Sequence, residues 1–435
     1  MTRTFVNELS NHIGQVVTVA GWVENLRLLK RMQFVVVRDF TGSAQAIHEK
    51  TANEEIARTI DGLTIESAVI VTGKVTENPQ VKLGGLELQI RKIEVANLAE
   101  APLPLGENAT QESRLDWRFL DLRSPRNRLI FEIQTAAEHA MREFWMNNRF
   151  IEIHSPKLMG AASESGAELF TLDYFDGKAY LAQSPQFYKQ MAMAAGFERV
   201  FEVGPVFRAN PSFTSRHDTE FTSMDVEVSW IESHLDVMRW EENWLQYVLQ
   251  CIQTQFSARI RDEFGVEIVV PTTPFPRVTM KRAYEIIESS GHTIDRGAKG
   301  DLDPEGERRL SQRVQDELGH EFVFVTDYPI SVRPFYHMRH ADNPTLTKSF
   351  DLLWKGLEVT TGAQREHRYY VLMEQVKEKG LNPEPIRSYL DCFRYGCPPH
   401  GGYGFGLTRM LMVMLGLKNV REVTYLYRGP NRLSP

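Results

Sequence analysis

Three observations on the 435-residue sequence predict an α+β protein of two domains. Its first hundred or so residues are short β-branched runs separated by turn residues. A Pro-containing connector without periodicity, Ala101-Pro-Leu-Pro-Leu-Gly106, comes next. Beyond it, strands and amphipathic helices alternate without the regular βαβ order of a parallel sheet. The length suits two or three domains of roughly 100–200 residues. A hydrophobic content of 42% with 25% charged residues is that of a globular protein with an ample core.

The runs at 16–23, 33–39, 44–48, 68–75 and 86–93 read as five strands. Thr41-Gly42-Ser43 and Leu83-Gly84-Gly85 turn the chain, and a helical piece at 53–60 follows the third strand. Five strands with a helix after the third describe a small Greek-key barrel of the OB type, which by itself fixes no function. We place this domain at 1–100, a connector or hinge at 101–125 and the larger domain at 126–435. That domain opens with an amphipathic helix from Asn127 to Asn147, with Ile130, Ile133, Ala137, Met141 and Phe144 on one face. The strand Phe150-Ile-Glu-Ile-His-Ser-Pro156 stops at its proline. Strands at 200–207, 223–230, 350–353 and 356–361 then alternate with helices at 235–254, 308–318 and 367–379, an arrangement that suits an antiparallel sheet.

Composition excludes several classes. The three cysteines, Cys251, Cys392 and Cys397, form no C-x-x-C pair, which removes disulfide frameworks and the usual zinc spacings. No signal-peptide pattern opens the chain, and the apolar stretch from Met410 to Leu417 is far short of the ~20 residues that span a bilayer. A cytoplasmic protein without a membrane partner is the expectation. With 50 basic and 57 acidic residues the net charge is −7. This argues against a broad nucleic-acid-binding face but says nothing of local patches.

Three segments carry unusual polar density. Phe201-Glu-Val-Gly-Pro-Val-Phe-Arg208, a polar loop through His217, and Glu220-Phe-Thr-Ser-Met-Asp-Val-Glu227 read as a hairpin that carries Arg208, His217, Phe221 and Asp225. The second segment runs from Ser349-Phe-Asp351 through Glu358 and Thr361 to Arg365. The third, Pro399-His-Gly-Gly-Tyr-Gly-Phe-Gly-Leu-Thr-Arg409, reads as a tight glycine turn into an apolar helix that offers an anion site. Its spacing is neither G-x-G-x-x-G nor a P-loop.

Taken together, these segments resemble the class II aminoacyl-tRNA synthetases. The helix and strand at about 127–156 resemble motif 1, the hairpin at about 201–229 motif 2, and the segment at about 399–417 motif 3. Gln183-Ser-Pro-Gln-Phe-Tyr-Lys-Gln190, Arg216-His-Asp-Thr-Glu-Phe221 and Gly362-Ala-Gln-Arg-Glu-His367 are similar to the aspartyl-tRNA synthetases. The short stretch between motifs 2 and 3 suits the archaeal and eukaryotic type, without the large bacterial insertion domain. Such a protein would join a class II catalytic domain on an antiparallel sheet to an anticodon-binding OB barrel. It would consume ATP with Mg2+, act on L-aspartate and tRNA(Asp), and form a homodimer through motif 1. The resemblance leaves open whether tRNA(Asn) is charged as well.

Residue by residue, the resemblance implies that Arg208 sits on the α-phosphate and Arg409 on the γ-phosphate, with His217 assisting as the third catalytic residue. Arg216, Asn210 and Glu358 would complete the ATP site, with Phe221 stacking on adenine. Asp351, Glu358 and the Thr361 hydroxyl would supply hard oxygens to Mg2+. Lys189 and Arg365 would pair the substrate's side-chain carboxylate. Asp225 and Gln186 would hold its amino group, with Thr361, Ser163 and Glu164 closing around it. A neutral asparagine side chain would leave those two cations poorly compensated, at several kcal/mol. In the barrel, Phe34 and Gln45 match positions that stack on and hydrogen-bond an anticodon base, with Arg27 on the backbone.

Several positions depart from the family pattern. Asn210 stands where glutamate is usual, Thr408 replaces the acid of Gly-Leu-Glu-Arg, and Leu426-Tyr-Arg-Gly-Pro430 replaces Phe-Pro-Arg-Asp-Pro. Two alternatives share these residues: an asparaginyl-tRNA synthetase, and a non-catalytic tRNA-binding paralogue suggested by Asn210 and Thr408. The first hundred residues hold 11 basic against 12 acidic side chains, so the barrel is nearly neutral. RNA affinity must then rest on a few placed arginines and on stacking, worth roughly 1–3 kcal/mol per base. The slope of log K against log salt for tRNA binding should therefore be shallow. Filter-binding titrations giving a slope of about ten would contradict this picture.

Overall fold

The computed structural model describes residues 3–106, 108–162, 168–211, 214–294 and 300–435. The chain divides into two compact units, Met1–Trp117 and Arg118–Pro435.

In the first unit, β1 (Val16–Leu28), β2 (Met32–Arg38), β3 (Ser43–Glu49), β4 (Ala68–Glu77) and β5 (Leu86–Asn97) close a barrel in the order β1-β2-β3-β5-β4. Val19, Val35, Val37, Ala46, Val71 and Leu88 point inward at alternate positions and are fully buried. The strands outrun the sequence estimate where their partners continue to supply hydrogen bonds: β1 reaches Leu28 against β2, and β5 reaches Asn97 against β4. The helix Glu54–Asp61 starts at Asn53, whose side chain accepts from the N–H groups of Glu55 and Ile56, a cap worth about 1 kcal/mol. The 3-10 helix Val6–His12 was not predicted, because a single buried residue, Leu9, gives no apolar period to read. The presumed connector at 101–125 carries helices Gln111–Asp116 and Arg118–Asp121. Since Val35 and Val37 point inward, Phe34 faces out, directly opposite Arg27 across β1–β2. The Arg27 guanidinium lies 4.2 Å from the Phe34 ring centre. Gln45 pairs with Val36 and shares that outer face.

The second unit is built on an eight-stranded sheet and a three-stranded one. Its strands are β6 (Ile151–Glu152), β7 (Leu158–Met159), β8 (Thr171–Tyr174), β9 (Gly177–Leu181), β10 (Arg199–Phe207) and β11 (Glu220–Ser229), then β12 (Arg277–Thr279), β13 (Phe322–Thr326), β14 (Ser349–Trp354), β15 (Leu357–Gln364) and β16 (His400–Gly406). The large sheet runs β12-β13-β14-β15-β16-β11-β10-β6 and is antiparallel except for the parallel pairs β12–β13 and β6–β10 at its two edges.

The glycine run is not a turn. It is β16, a strand between β11 and β15. Its alternation explains it: Gly402, Gly404 and Gly406 fall on one face, Tyr403 and Phe405 on the other. The aromatic face packs on the helix His234–Phe264, with Phe405 edge-on to Trp244 at 4.8 Å and Trp244 stacked on Trp145 of the helix Pro125–Asn147 at 5.3 Å. That long helix runs ten residues beyond the sequence estimate of 254, until Gly265 closes it at φ 68°.

Glu241 of this helix lies wholly buried beneath the sheet, its Oε1 accepting from the Thr360 hydroxyl. Burial pushes its carboxyl up to about 8, aided by the neighbouring Glu242 and Asp351. The folded state therefore holds a proton that the unfolded chain gives up near pH 4.5. The neutral acid's contribution to stability is complete below that value and lost as pH rises through 8, at about 1.4 kcal/mol for each pH unit climbed between the two. Glu241→Gln, which keeps a neutral acceptor for Thr360, should melt higher than the native protein at pH 9 and within about a degree of it at pH 5. Thermal melts across that range check the difference.

Candidate active site

A cavity of about 280 Å³ opens over the face of the sheet that carries the β16 glycines. Strand register builds its floor. Asp225 on β11 lies opposite Gly404 on β16, Gly404 opposite Thr361 on β15, and Thr361 opposite Asp351 on β14. One step along, Glu227 lies opposite Gly402 and Gly402 opposite Ala363. A Cβ on Gly402 would come within 2.0 Å of the Val226 carbonyl and 2.2 Å of Glu227 Oε2. The glycines are thus the space into which the β11 acids fit. A bulge in β15 opposite Leu352 and Leu353 shifts the alternation there, so Glu358 lines the cavity together with Thr361.

At one end, four buried charges interlock. Lys189, from the helix Gln186–Ala194, donates to Asp225 Oδ1 at 2.9 Å and lies 3.5 Å from Glu227 Oε2. Arg365 donates through Nε to Glu227 Oε1 at 3.0 Å, through Nη2 to the Gly402 carbonyl at 2.9 Å, and through Nη1 to His337 Nε2 at 3.0 Å. Lys189 and Arg365 are each only 2% exposed. The two cations expected to await a ligand's carboxylate are therefore already matched by Asp225 and Glu227. Asp225 also accepts from Ser223 Oγ at 2.5 Å, and Gln186 is held by Gln190 at 2.9 Å. Burial, then Arg365, drive His337 well below its ordinary range, which leaves a neutral ring able to accept from that arginine.

Arginines gather along the rest of the wall. Arg208 follows β10 and lies 5.5 Å above the Phe221 ring. Arg409, at the start of the helix Leu407–Met414, donates to the Glu358 carbonyl at 2.9 Å and lies 3.5 Å from Glu358 Oε1. Arg216 is paired at 2.8 Å with Glu307 of the helix Pro304–Leu318. Burial and the nearby Glu358 push Glu307 up to about 7. His217 is lowered by burial, then by the charges of Arg409, Arg216 and Arg208, and so is neutral at pH 7. Asn210 lines the same cavity.

The expected metal trio divides. Glu358 Oε1 and the Thr361 hydroxyl are 3.3 Å apart and line the cavity, a pair of hard oxygens that fits Mg2+. Asp351 instead accepts from Arg333 Nη2 at 2.6 Å, and Arg333 lies over the Tyr328 ring at 3.6 Å. Among the described residues no three His, Cys, Asp or Glu side chains cluster as a metal site. Ser163 and Glu164 lie outside the described residues. Sequence reasoning gave no role to Glu227, which it had placed on the polar hairpin, and missed His337, Arg333 and Glu307. Glu227 was readable as the next position on the face of Asp225, whereas the others depend on long-range packing.

Two family models match the chain. One, for an OB-fold nucleic acid binding domain, covers residues 17–96. The other, for class II tRNA synthetases (D, K and N), covers residues 110–428. The chain belongs to the class II tRNA synthetases. An aspartate–tRNA(Asp/Asn) ligase of Aeropyrum pernix is 43% identical over 97% of this synthetase and 96% of its own length. An aspartate–tRNA(Asp) ligase of Pyrococcus furiosus is 43% identical over 100% of both chains. Among solved structures, an asparaginyl-tRNA synthetase from Pyrococcus horikoshii complexed with asparaginyl-adenylate superposes with a TM-score of 0.92 at 32% identity, covering 100% of both chains. An aspartyl tRNA synthetase from Entamoeba histolytica gives 0.89 at 33% identity, covering 100% of this chain and 93% of that one. No helix among the described residues of the synthetase is long and apolar enough to cross a membrane.

Breaking the charge cluster on one side leaves buried carboxylates uncompensated, which costs about 3–5 kcal/mol. Lys189→Met should lower stability by that order in urea unfolding. Lys189→Met with Asp225→Leu should recover part of the loss, because both partners are then removed.

Proposed function

We propose that this synthetase ligates L-aspartate to tRNA(Asp) through an aspartyl-adenylate, in the cytoplasm where these substrates are held. The charge balance of the buried cluster carries the reading. Lys189 and Arg365 against Asp225 and Glu227 sum to zero. With its α-carboxylate turned out toward the α-phosphate, an aspartate seated there brings into the cluster an α-ammonium facing Asp225 and a side-chain carboxylate facing Lys189 and Arg365, and the cluster's sum stays zero. Asparagine, bound with its α-carboxylate turned out in the same way, would bring only the ammonium into the cluster and leave one unmatched buried charge. Asparaginyl enzymes share the fold, so this balance, and not the architecture, separates the two substrates.

In the first step an α-carboxylate oxygen attacks the α-phosphorus, an O–P bond forms, and the bond to the β-phosphate oxygen breaks to release pyrophosphate. Such a transfer needs in-line positioning and charge stabilisation more than a base. Arg208 is the residue we assign to the α-phosphate, leaving Phe221 to the adenine. Arg409, with neutral His217 and Arg216, serves the terminal phosphates, which would draw Arg216 from Glu307. Glu358 and Thr361 would hold Mg2+, which supplies further charge neutralisation to the triphosphate. In the second step a terminal ribose hydroxyl of the tRNA attacks the acyl carbon and AMP leaves. Arg27, Phe34 and Gln45 on the barrel's outer face would meet the anticodon. Two chains would pair through the motif 1 helix.

Purified protein should catalyse aspartate-dependent ATP–pyrophosphate exchange at least a hundredfold faster than asparagine-dependent exchange. Exchange driven by asparagine and not by aspartate would sink the reading. Aspartylation of tRNA(Asn) beside tRNA(Asp) then fixes the acceptor range, on which the names of the two archaeal relatives divide.

A further inference from the structure

The loop between β10 and β11 ends in a stretch, 215–219, that is stitched to the C-terminal segment. Val420 N–H donates to the Ser215 carbonyl at 2.9 Å, Tyr427 O–H to the His217 carbonyl at 3.2 Å, and Thr219 N–H to the Arg428 carbonyl at 3.1 Å. A fourth link is made by a side chain: Thr424 Oγ1 donates to Asp218 Oδ2 at 3.4 Å. Asp218 lines the cavity and is 6% exposed. Its Oδ1 is buried without a hydrogen-bond partner among the described residues. Burial pushes its carboxyl up to about 7, against the pull of the Thr424 hydroxyl, the Arg409 charge, the Thr408 hydroxyl and the Arg421 charge. No role in the proposed reaction has been given to this acid.

Its neighbours suggest one. Thr408 is where the chain lacks the motif 3 acid of the family pattern, and it immediately precedes Arg409. Thr408 and Asp218 both line the cavity beside that arginine, one from the helix Leu407–Met414 and one from the loop. We propose that Asp218 is a positioning residue for Arg409, its carboxylate replacing from the motif 2 loop the one missing at position 408. The proposal rests on the reading of Arg409 as a terminal-phosphate ligand. An arginine side chain carries many rotamers, and holding it in place before ATP arrives removes that ordering from the binding step. Glu358 holds the guanidinium through its carbonyl and carboxylate. Asp218 adds a second acid on the wall of the same cavity, its charged form favoured by the Arg409 charge, on a stretch, 215–219, that the C-terminal segment ties down.

The test compares the native protein with Asp218→Asn, Asp218→Leu and the exchange variant Asp218→Leu with Thr408→Glu. ATP affinity is read by titration calorimetry, and KM values for ATP and aspartate by pyrophosphate exchange. Both single variants should weaken ATP binding about tenfold and leave the KM for aspartate within about twofold of native. The exchange variant should restore ATP affinity to within about threefold. The proposal is overturned if Asp218→Asn, which keeps the side-chain shape and is the deciding variant should the leucine form melt early, binds ATP like the native protein. It is equally overturned if the aspartate KM rises in step, or if the exchange variant, folded with a native melting temperature, is no better than Asp218→Leu. Calorimetry reads ATP binding whichever amino acid is activated. Native protein that binds ATP but shows no aspartate-dependent exchange would therefore sink the proposed reaction and still judge Asp218.

Discussion

Four charges removed from water in one place would ordinarily destabilise a sheet by several kcal/mol per ion. Lys189, Arg365, Asp225 and Glu227 offset that cost because each has its opposite within hydrogen-bond or ion-pair distance. That proximity requires a neighbouring strand without side chains, and β16 supplies it through Gly402 and Gly404. The strand is held by its other face, where Tyr403 and Phe405 pack against the long helix beneath the sheet. The charge-cluster end of the cavity, the glycine alternation and the aromatic layer are thus one construction. The arginine-rich end depends on it less directly, through strands whose register the cluster helps to fix.

Much of this was legible in the chain, for reasons that differ by residue. The barrel strands were readable because Val35 and Val37 alternate with outward residues, and Asn53 announces its helix because an amide before two glutamates is a strong cap. Helix Pro125–Asn147 followed from its apolar period. The family motifs located Arg208, His217, Phe221, Lys189, Arg365 and Arg409, and all of them line one cavity. Glycine, by contrast, invited a turn. The period-two alternation of Gly with Tyr and Phe was present in the sequence, but low β propensity masked it. The pairing of Lys189 and Arg365 with Asp225 and Glu227 was not legible, since it depends on which strands are neighbours. The same holds for Arg333 claiming Asp351 across 18 positions, and for Glu307 claiming Arg216 across 91.

Acids at the two ends of the cavity are treated differently. Those of the cluster are satisfied by cations; Glu307, paired with Arg216, and Asp218 carry carboxyls pushed up to about 7, mainly by burial. Both lie near arginines that the proposed reaction assigns to phosphates. In the proposed reaction a triphosphate takes Arg216 from Glu307, so nucleotide binding there would be an exchange of partners and not a filling of empty space.

The same logic reaches the barrel by another route. Phe34 is already covered by the Arg27 guanidinium at 4.2 Å. In the proposed role a nucleobase stacking on the covered face would displace that cation, and the freed guanidinium would be available to the phosphates of the arriving strand. Stray single-stranded RNA whose backbone does not pass within reach forfeits the second contact after losing the first. In that role the occupied ring would be a threshold, crossed at a net gain only by a strand whose backbone follows the right path.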